Sequence, residues 1–113
     1  MRKYPAGTVS WAGDPTDAHQ ERPVIVLSHE KRPFNATQCT VMCIGTNAEA
    51  YDHYSPALRS EHLSGISFSR SQYLMPWALY TVAPGAILSA RRGELTDEGE
   101  QLVKRALISL FEV

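Results

Sequence analysis

Two residues are placed where they could do chemistry, Arg22 at the entrance of one apolar run and Thr46 at the exit of another. Arg22 immediately precedes Pro23-Val24-Ile25-Val26-Leu27-Ser28. A guanidinium is planar, always charged, and presents five donors in a fork that matches the oxygens of an anion. Pro23 fixes its own φ and suits the first residue of a strand. Arg22 therefore stands on a rigid base where the chain enters the core. The same pattern also reads as a surface Arg flanking a core strand, since most arginines are solvated. Thr46 closes the run Val41-Met42-Cys43-Ile44-Gly45 and offers a hydroxyl. His19 and Gln20 lie in the polar loop just before Arg22, where a loop is able to cover a ligand. His19 is a candidate ligand contact, although a lone loop histidine is usually only solvated.

These residues need elements to position them. Val24–Leu27 is a short, β-branched run and predicts a strand buried on both faces. Gly7–Trp11 predicts a first strand, with Trp11 as a core or dimer-contact residue rather than a base-stacking platform. Residues 12–21 form a polar loop around Gly13 and Pro15. Gln38–Ile44 is a third strand. The alternation Gly65-Ile66-Ser67-Phe68 predicts a strand, as does 76–82, with Pro76 at its beginning or on an edge. Pro84-Gly85 marks a turn, followed by the short apolar stretch Ala86–Ala90 and the basic pair Arg91-Arg92. The last element is a helix. Thr96 or Asp97 can cap it, Asp97 and Glu100 have capping-box spacing, and Leu102, Val103, Ala106, Leu107, Leu110 and Phe111 form one apolar stripe. Gly99 weakens its first turn slightly.

Composition sets limits. At 113 residues, a single domain over 1–113 is the natural count, long enough to bury a core without disulfides. Lys and Arg number 11 against 12 Asp and Glu, a net charge of −1. That argues against a non-specific, always-on nucleic-acid binder, yet allows a local positive patch. No apolar segment approaches bilayer length, and the N-terminus has no apolar stretch behind its charges, so no membrane association and a cytoplasmic location are expected. Cys39 and Cys43 fall on one face of a strand about 13 Å apart, too far to bridge, and read as small buried hydrophobes. Asp52-His53 lacks the second pair a metal site needs, so neither metal nor cofactor is expected. Tyr51, Tyr54 and His62 suggest polar surface.

The order of these features resembles the PemK/MazF family of toxin endoribonucleases, the toxins of type II toxin–antitoxin systems. That family opens on a Gly-x-hydrophobic-x-Trp strand, matched by Gly7–Trp11. It carries Arg-Pro before its second strand, matched by Arg22-Pro23, and a Thr at the end of its third. A loop with an aromatic and an Asn matches Phe34-Asn35. The resemblance covers most of residues 7–111. It implies a mainly β fold with helical cover, an SH3-like small barrel with a C-terminal helix that assembles as a two-fold homodimer. It implies Arg22 as the main catalytic residue and Thr46 as its partner. Two positions depart from the pattern. By direct count the family Thr falls on Gly45, and a one-residue bulge there would restore Thr46. Many members carry Asp-Gln where this chain has Leu74-Met75, leaving Arg70, Gln72 and Tyr73 as the nearby polar substitutes.

Two functions follow. The first is a metal-independent endoribonuclease that cleaves single-stranded RNA by attack of the 2′-hydroxyl and is held by a cognate antitoxin protein. The catalytic residues are then Arg22 and Thr46, with His19, Gln20, Arg70 and Tyr73 contacting RNA. The second is a catalytically weakened or inactive SH3-like module that binds RNA or a protein partner. Arg22 favours the first; Gly45, Leu74 and the net negative charge favour the second. Ser28 lies roughly 20 Å along the strand from Arg22 and is expected to be irrelevant to cleavage.

Overall fold

The computed structural model describes residues 4–47 and 54–111. Tyr51, Asp52 and His53 lie outside them. The chain forms β1 (Thr8–Gly13), β2 (Glu21–Val26), β3 (Cys39–Gly45), β4 (Ala57–Leu58), β5 (Leu63–Ser64), β6 (Gln72–Val82), β7 (Ile87–Leu95) and α1 (Asp97–Leu110). All seven strands join one antiparallel sheet in the order β4-β6-β3-β2-β1-β7-β5. The two edge strands, β4 and β5, are separated in sequence only by residues 59–62, which include a 3-10 turn at Ser60–His62. The sheet therefore curls back on itself into a nearly closed small barrel with one C-terminal helix, as the sequence predicts. No helix among the described residues is long and apolar enough to cross a membrane.

The strand expected to be buried on both faces is the centre of the sheet. Val24, Ile25 and Val26 of β2 are fully buried. Alternation sends them to opposite sides. Val24 and Val26 join Ala12, Val41, Cys43 and Ile87 in one cluster. Ile25 joins Val9, Met42, Ile44 and Leu74 in the other, which α1 covers with Val103 and Ala106. Cys39 and Cys43 form no disulfide, are buried, and lie on the same face, as their spacing predicts. Ile108 and Phe111 of the helical region remain exposed, so the stripe ends at Leu107 and the half-buried Leu110.

Several expectations change. Residues 65–68 are not a strand; β5 precedes them at Leu63–Ser64. Their alternation reflects Ile66 and Phe68 packing onto the core from a loop, and Gly65 turns the chain at φ 77°. Pro76 is neither an edge nor a start: it is buried within β6. It is tolerated because the ladder to β3 is irregular there. Met42 pairs with Leu79 and Cys43 with Met75, so Pro76, Trp77 and Ala78 face no rung. That irregularity sits two residues before Gly45, which is itself regularly paired with Tyr73. Arg91, Arg92 and Gly93 belong to β7. Thr96 is the cap, its Oγ1 accepting from Gly99 N at 3.1 Å. Gly99 is not merely a weak helix former. A Cβ there would collide with the carbonyl oxygen of His62, so only glycine lets α1 dock on the 3-10 turn.

Candidate functional site

The loop between β1 and β2 is built around one carboxylate. Asp14 N donates to Gln20 O at 3.1 Å, closing the loop, and Asp17 turns it with φ 63°. The Asp14 side chain is fully buried. Its Oδ1 accepts from Thr16 N at 2.8 Å, Thr16 Oγ1 at 2.7 Å and Arg22 Nε at 3.1 Å, and its Oδ2 accepts from His19 N at 2.9 Å. This is an Asx turn that ends in an ion pair. Burial by itself raises the carboxyl pKa. The hydrogen bonds from Thr16, His19 and Arg22 outweigh it and hold the group at about 2.

Arg22 is thereby fixed from behind. Only 12% of its side chain is exposed. Nε is held by Asp14, and Nη1 lies 3.4 Å from Ile44 O and 3.7 Å from Met75 Sδ. Among the described residues Nη2 has no hydrogen-bond partner. Gly45 makes this placement possible: a Cβ there would stand 2.8 Å from Nη1 and 3.2 Å from Met75 Sδ. Glycine at position 45 thus has a local reason, the close approach of the guanidinium to the β3 backbone. Beneath it, burial pushes the Cys43 thiol up to about 11, so it stays a neutral hydrophobe.

Arg22 faces a cleft of about 570 Å³ at one end of the barrel. Thr46, His19 and Arg70 line the same cleft, so four of the residues proposed from sequence converge there. Thr46 reaches it directly, without a bulge at Gly45. A smaller cavity of about 160 Å³ is also lined by Arg22, His19 and Thr46. Tyr73 is in neither cavity. It lines an adjoining depression with Arg70 and Gln72. Gln20 is exposed and lines none of these cavities; its carbonyl closes the loop. Ser28 is remote, as expected, but it is not idle: buried at the far end of the sheet, its Oγ accepts from Thr40 N at 2.9 Å.

Gln72, one of the polar substitutes named from sequence, lines the cleft as well. The cleft also holds residues that the sequence reading left out of the site, Arg91, Arg92, Phe68 and Trp11. Trp11 is a wall of the cleft rather than a core residue. Four arginines face a single acid there, Glu21, among the described residues, although the chain as a whole is slightly acidic. The adjacent Arg91-Arg92 was the signal for this patch. Asp14-Pro15-Thr16, with an aspartate ahead of a turn, was the signal for the anchor of Arg22.

No protein-family model matches this chain, and no curated protein sequence matches it. Among solved structures it is similar to one described as an endoribonuclease in complex with its cognate antitoxin from a mycobacterial species. The TM-score is 0.68 at 15% identity, covering 97% of this chain and 95% of that one. At that identity the likeness establishes the fold alone, a small β-barrel with one C-terminal helix.

Proposed function

We propose that this chain is the toxin of a type II toxin–antitoxin pair, a divergent PemK/MazF-like endoribonuclease that cleaves single-stranded RNA without a metal ion. The observation that carries this reading is Arg22, whose guanidinium is clamped by the buried Asp14 carboxylate while Nη2 remains available to the arginine-lined cleft. In RNA the 2′-hydroxyl is the nucleophile. It forms an O2′–P bond as its proton passes to water, the P–O5′ bond breaks as O5′ takes up a proton from water, and the products are a 2′,3′-cyclic phosphate and a 5′-hydroxyl. Charge accumulates on the phosphorane oxygens, and donors fixed in advance at those oxygens supply the main stabilisation. Arg22 is such a donor, and the Thr46 hydroxyl lines the same cleft as its partner. His19 and Arg70 contact the RNA strand around the cleft; Gln20 and Tyr73 extend that contact at its margins. The fold shared with an endoribonuclease bound to an antitoxin supports an antitoxin protein as the natural inhibitor; the cytoplasm is the proposed site of action. A two-fold homodimer is the proposed assembly, and light scattering at micromolar concentration should show twice the 12.6 kDa chain mass.

The test is induction of the protein in cells with mapping of RNA ends, followed by single-turnover cleavage in vitro. We expect growth arrest, ends of the cyclic-phosphate type, and rates unchanged by EDTA. Arg22→Ala should abolish cleavage while the fold persists. Wild-type cleavage by Arg22→Ala overturns the mechanism. A wild type that binds RNA or a peptide without cutting converts the reading to a binding module.

A further inference from the structure

The wall of the cleft opposite the phosphate chemistry has its own construction. β1 and β7 are regularly paired from Thr8 to Ser10, but the register then jumps: Ser10 pairs with Arg92 and Trp11 with Leu88. The residues between Leu88 and Arg92 therefore bulge out of the ladder beside Trp11. Ser10, fully buried, ties the bulge down. Its Oγ lies 2.5 Å from Leu88 O and 2.9 Å from Arg91 O, one at each end of the bulge. The consequence is to lift Arg91 over the indole. Its guanidinium carbon sits 4.5 Å from the Trp11 ring centroid. Among the described residues the Arg91 guanidinium has no hydrogen-bond or ion-pair partner, so the ring face is its one contact of this kind. The ring is braced by Phe68, at 6.1 Å and an interplanar angle of 50°. In the β1–β2 ladder Trp11 is opposite Pro23 and Ala12 opposite Arg22, so the indole and the catalytic guanidinium arise from adjacent positions and both line the cleft.

We propose that Trp11 is a nucleobase-stacking platform and Arg91 its clamp, the guanidinium leaving the indole to close over the outer face of a base stacked on it. This rests on the endoribonuclease reading and extends it: Arg22 takes the phosphate, and the Trp11–Arg91 pair takes a neighbouring base by its π-face. A flat aromatic face is tolerant of base identity, since every base has one. An exposed, unbonded guanidinium over a ring is already arranged for stacking and cation–π contact, and releasing it breaks no hydrogen bond. The subsite therefore supplies grip and orientation rather than sequence choice.

The test uses single-stranded 2′-O-methyl RNA of random sequence, which lacks the nucleophile and cannot be cut, and a phosphodiester chain of equal length without bases. In a Trp77→Phe background the indole fluorescence reports Trp11 alone. We expect the RNA to quench it and the base-free chain, followed separately by anisotropy of an end label, to bind more weakly without quenching. Trp11→Ala should weaken binding of the 2′-O-methyl RNA by about 10- to 100-fold, while Trp11→Phe should retain most of the affinity. Arg91→Ala should cost less, about fivefold, and Trp11→Ala should leave the salt dependence of binding unchanged. RNA binding with no quenching, or equal quenching by the base-free chain, overturns the platform and leaves the endoribonuclease reading intact. If Trp11→Ala does not fold, the quenching arm and Trp11→Phe still decide. Failure of the wild-type protein to bind the RNA at all removes both.

Discussion

Arg22 and Arg91 line the same cleft, yet the protein treats them in opposite ways. Arg22 is held by a buried carboxylate, a β3 carbonyl and a methionine sulfur, with almost no freedom. Arg91 rests on an indole face and is otherwise solvated. A donor that stabilises developing charge gains from being fixed before the reaction, because nothing has to reorganise at the transition state. A residue that grips a flexible strand gains from adaptability. The difference teaches that position in the cleft does not rank its arginines; their supports do.

The support of Arg22 is the place to break this comparison. Asp14→Asn keeps the shape but removes the charge that fixes Nε. We expect single-turnover cleavage to fall by about 100-fold or more, since a misplacement of about 1 Å is enough for that. The same carboxylate gives a stability signature. Its folded pKa is held at about 2, below the ordinary value of 3.8, so the unfolded chain binds the proton more readily. The stabilisation is complete above pH ~4 and is lost as pH falls towards 2, about 2 kcal/mol in all. Urea unfolding between pH 2 and 6 should show this slope in the wild type, and Asp14→Asn should flatten it. An equal slope in both proteins would show that Asp14 is not the anchor.

Thr46→Ala should also lower the cleavage rate by about 100-fold, with binding of uncleavable RNA nearly unchanged. A parallel loss of affinity would place Thr46 in binding rather than chemistry. Gly45→Ala tests the close approach. The new methyl group would displace Nη1, and we expect a rate loss of roughly tenfold with unchanged RNA affinity. Unfolding midpoints should move little, because the displaced group is the tip of a side chain. Rates equal to wild type would mean that the guanidinium tip is free to shift.

The smallest effects should come from the rim. Arg70→Ala and Arg92→Ala should each weaken RNA binding a few-fold, with the logarithmic salt dependence of binding falling by about one phosphate contact per residue. Cleavage of bound RNA should be unchanged. If either variant slowed the bound complex as strongly as Asp14→Asn, the division between fixed and adaptable arginines would fail.

Ser28 shows how a residue correctly excluded from the site can still matter. Its distance from Arg22 followed from strand length. Its role as acceptor for Thr40 N at the other end of the sheet did not, because that bond joins the segment after β2 to β3, twelve residues on, and has no local signature.

What the sequence determined by itself is local. The aliphatic run of β2 set a doubly buried strand, because a β-branched stretch with no polar face has nowhere to stand but between neighbours on both sides. The stripe and acidic first turn set α1, and the two even-spaced cysteines set a common buried face. Arg22 before Pro23 was legible for the same reason, as a charge fixed to a rigid entrance. What only the tertiary structure decided depends on approach between segments distant in sequence. Pro76 sits inside a strand because the opposite ladder skips three residues. Gly99 is indispensable because the His62 carbonyl comes too close for a Cβ, while helix propensity alone would favour alanine there. Gly45 yields its side chain to the guanidinium of Arg22, and Trp11 becomes a cleft wall because β7 bulges beside it. Periodicity and propensity describe what one segment prefers. They hold no term for the distance between two segments, and in this barrel that distance assigns the cleft its residues.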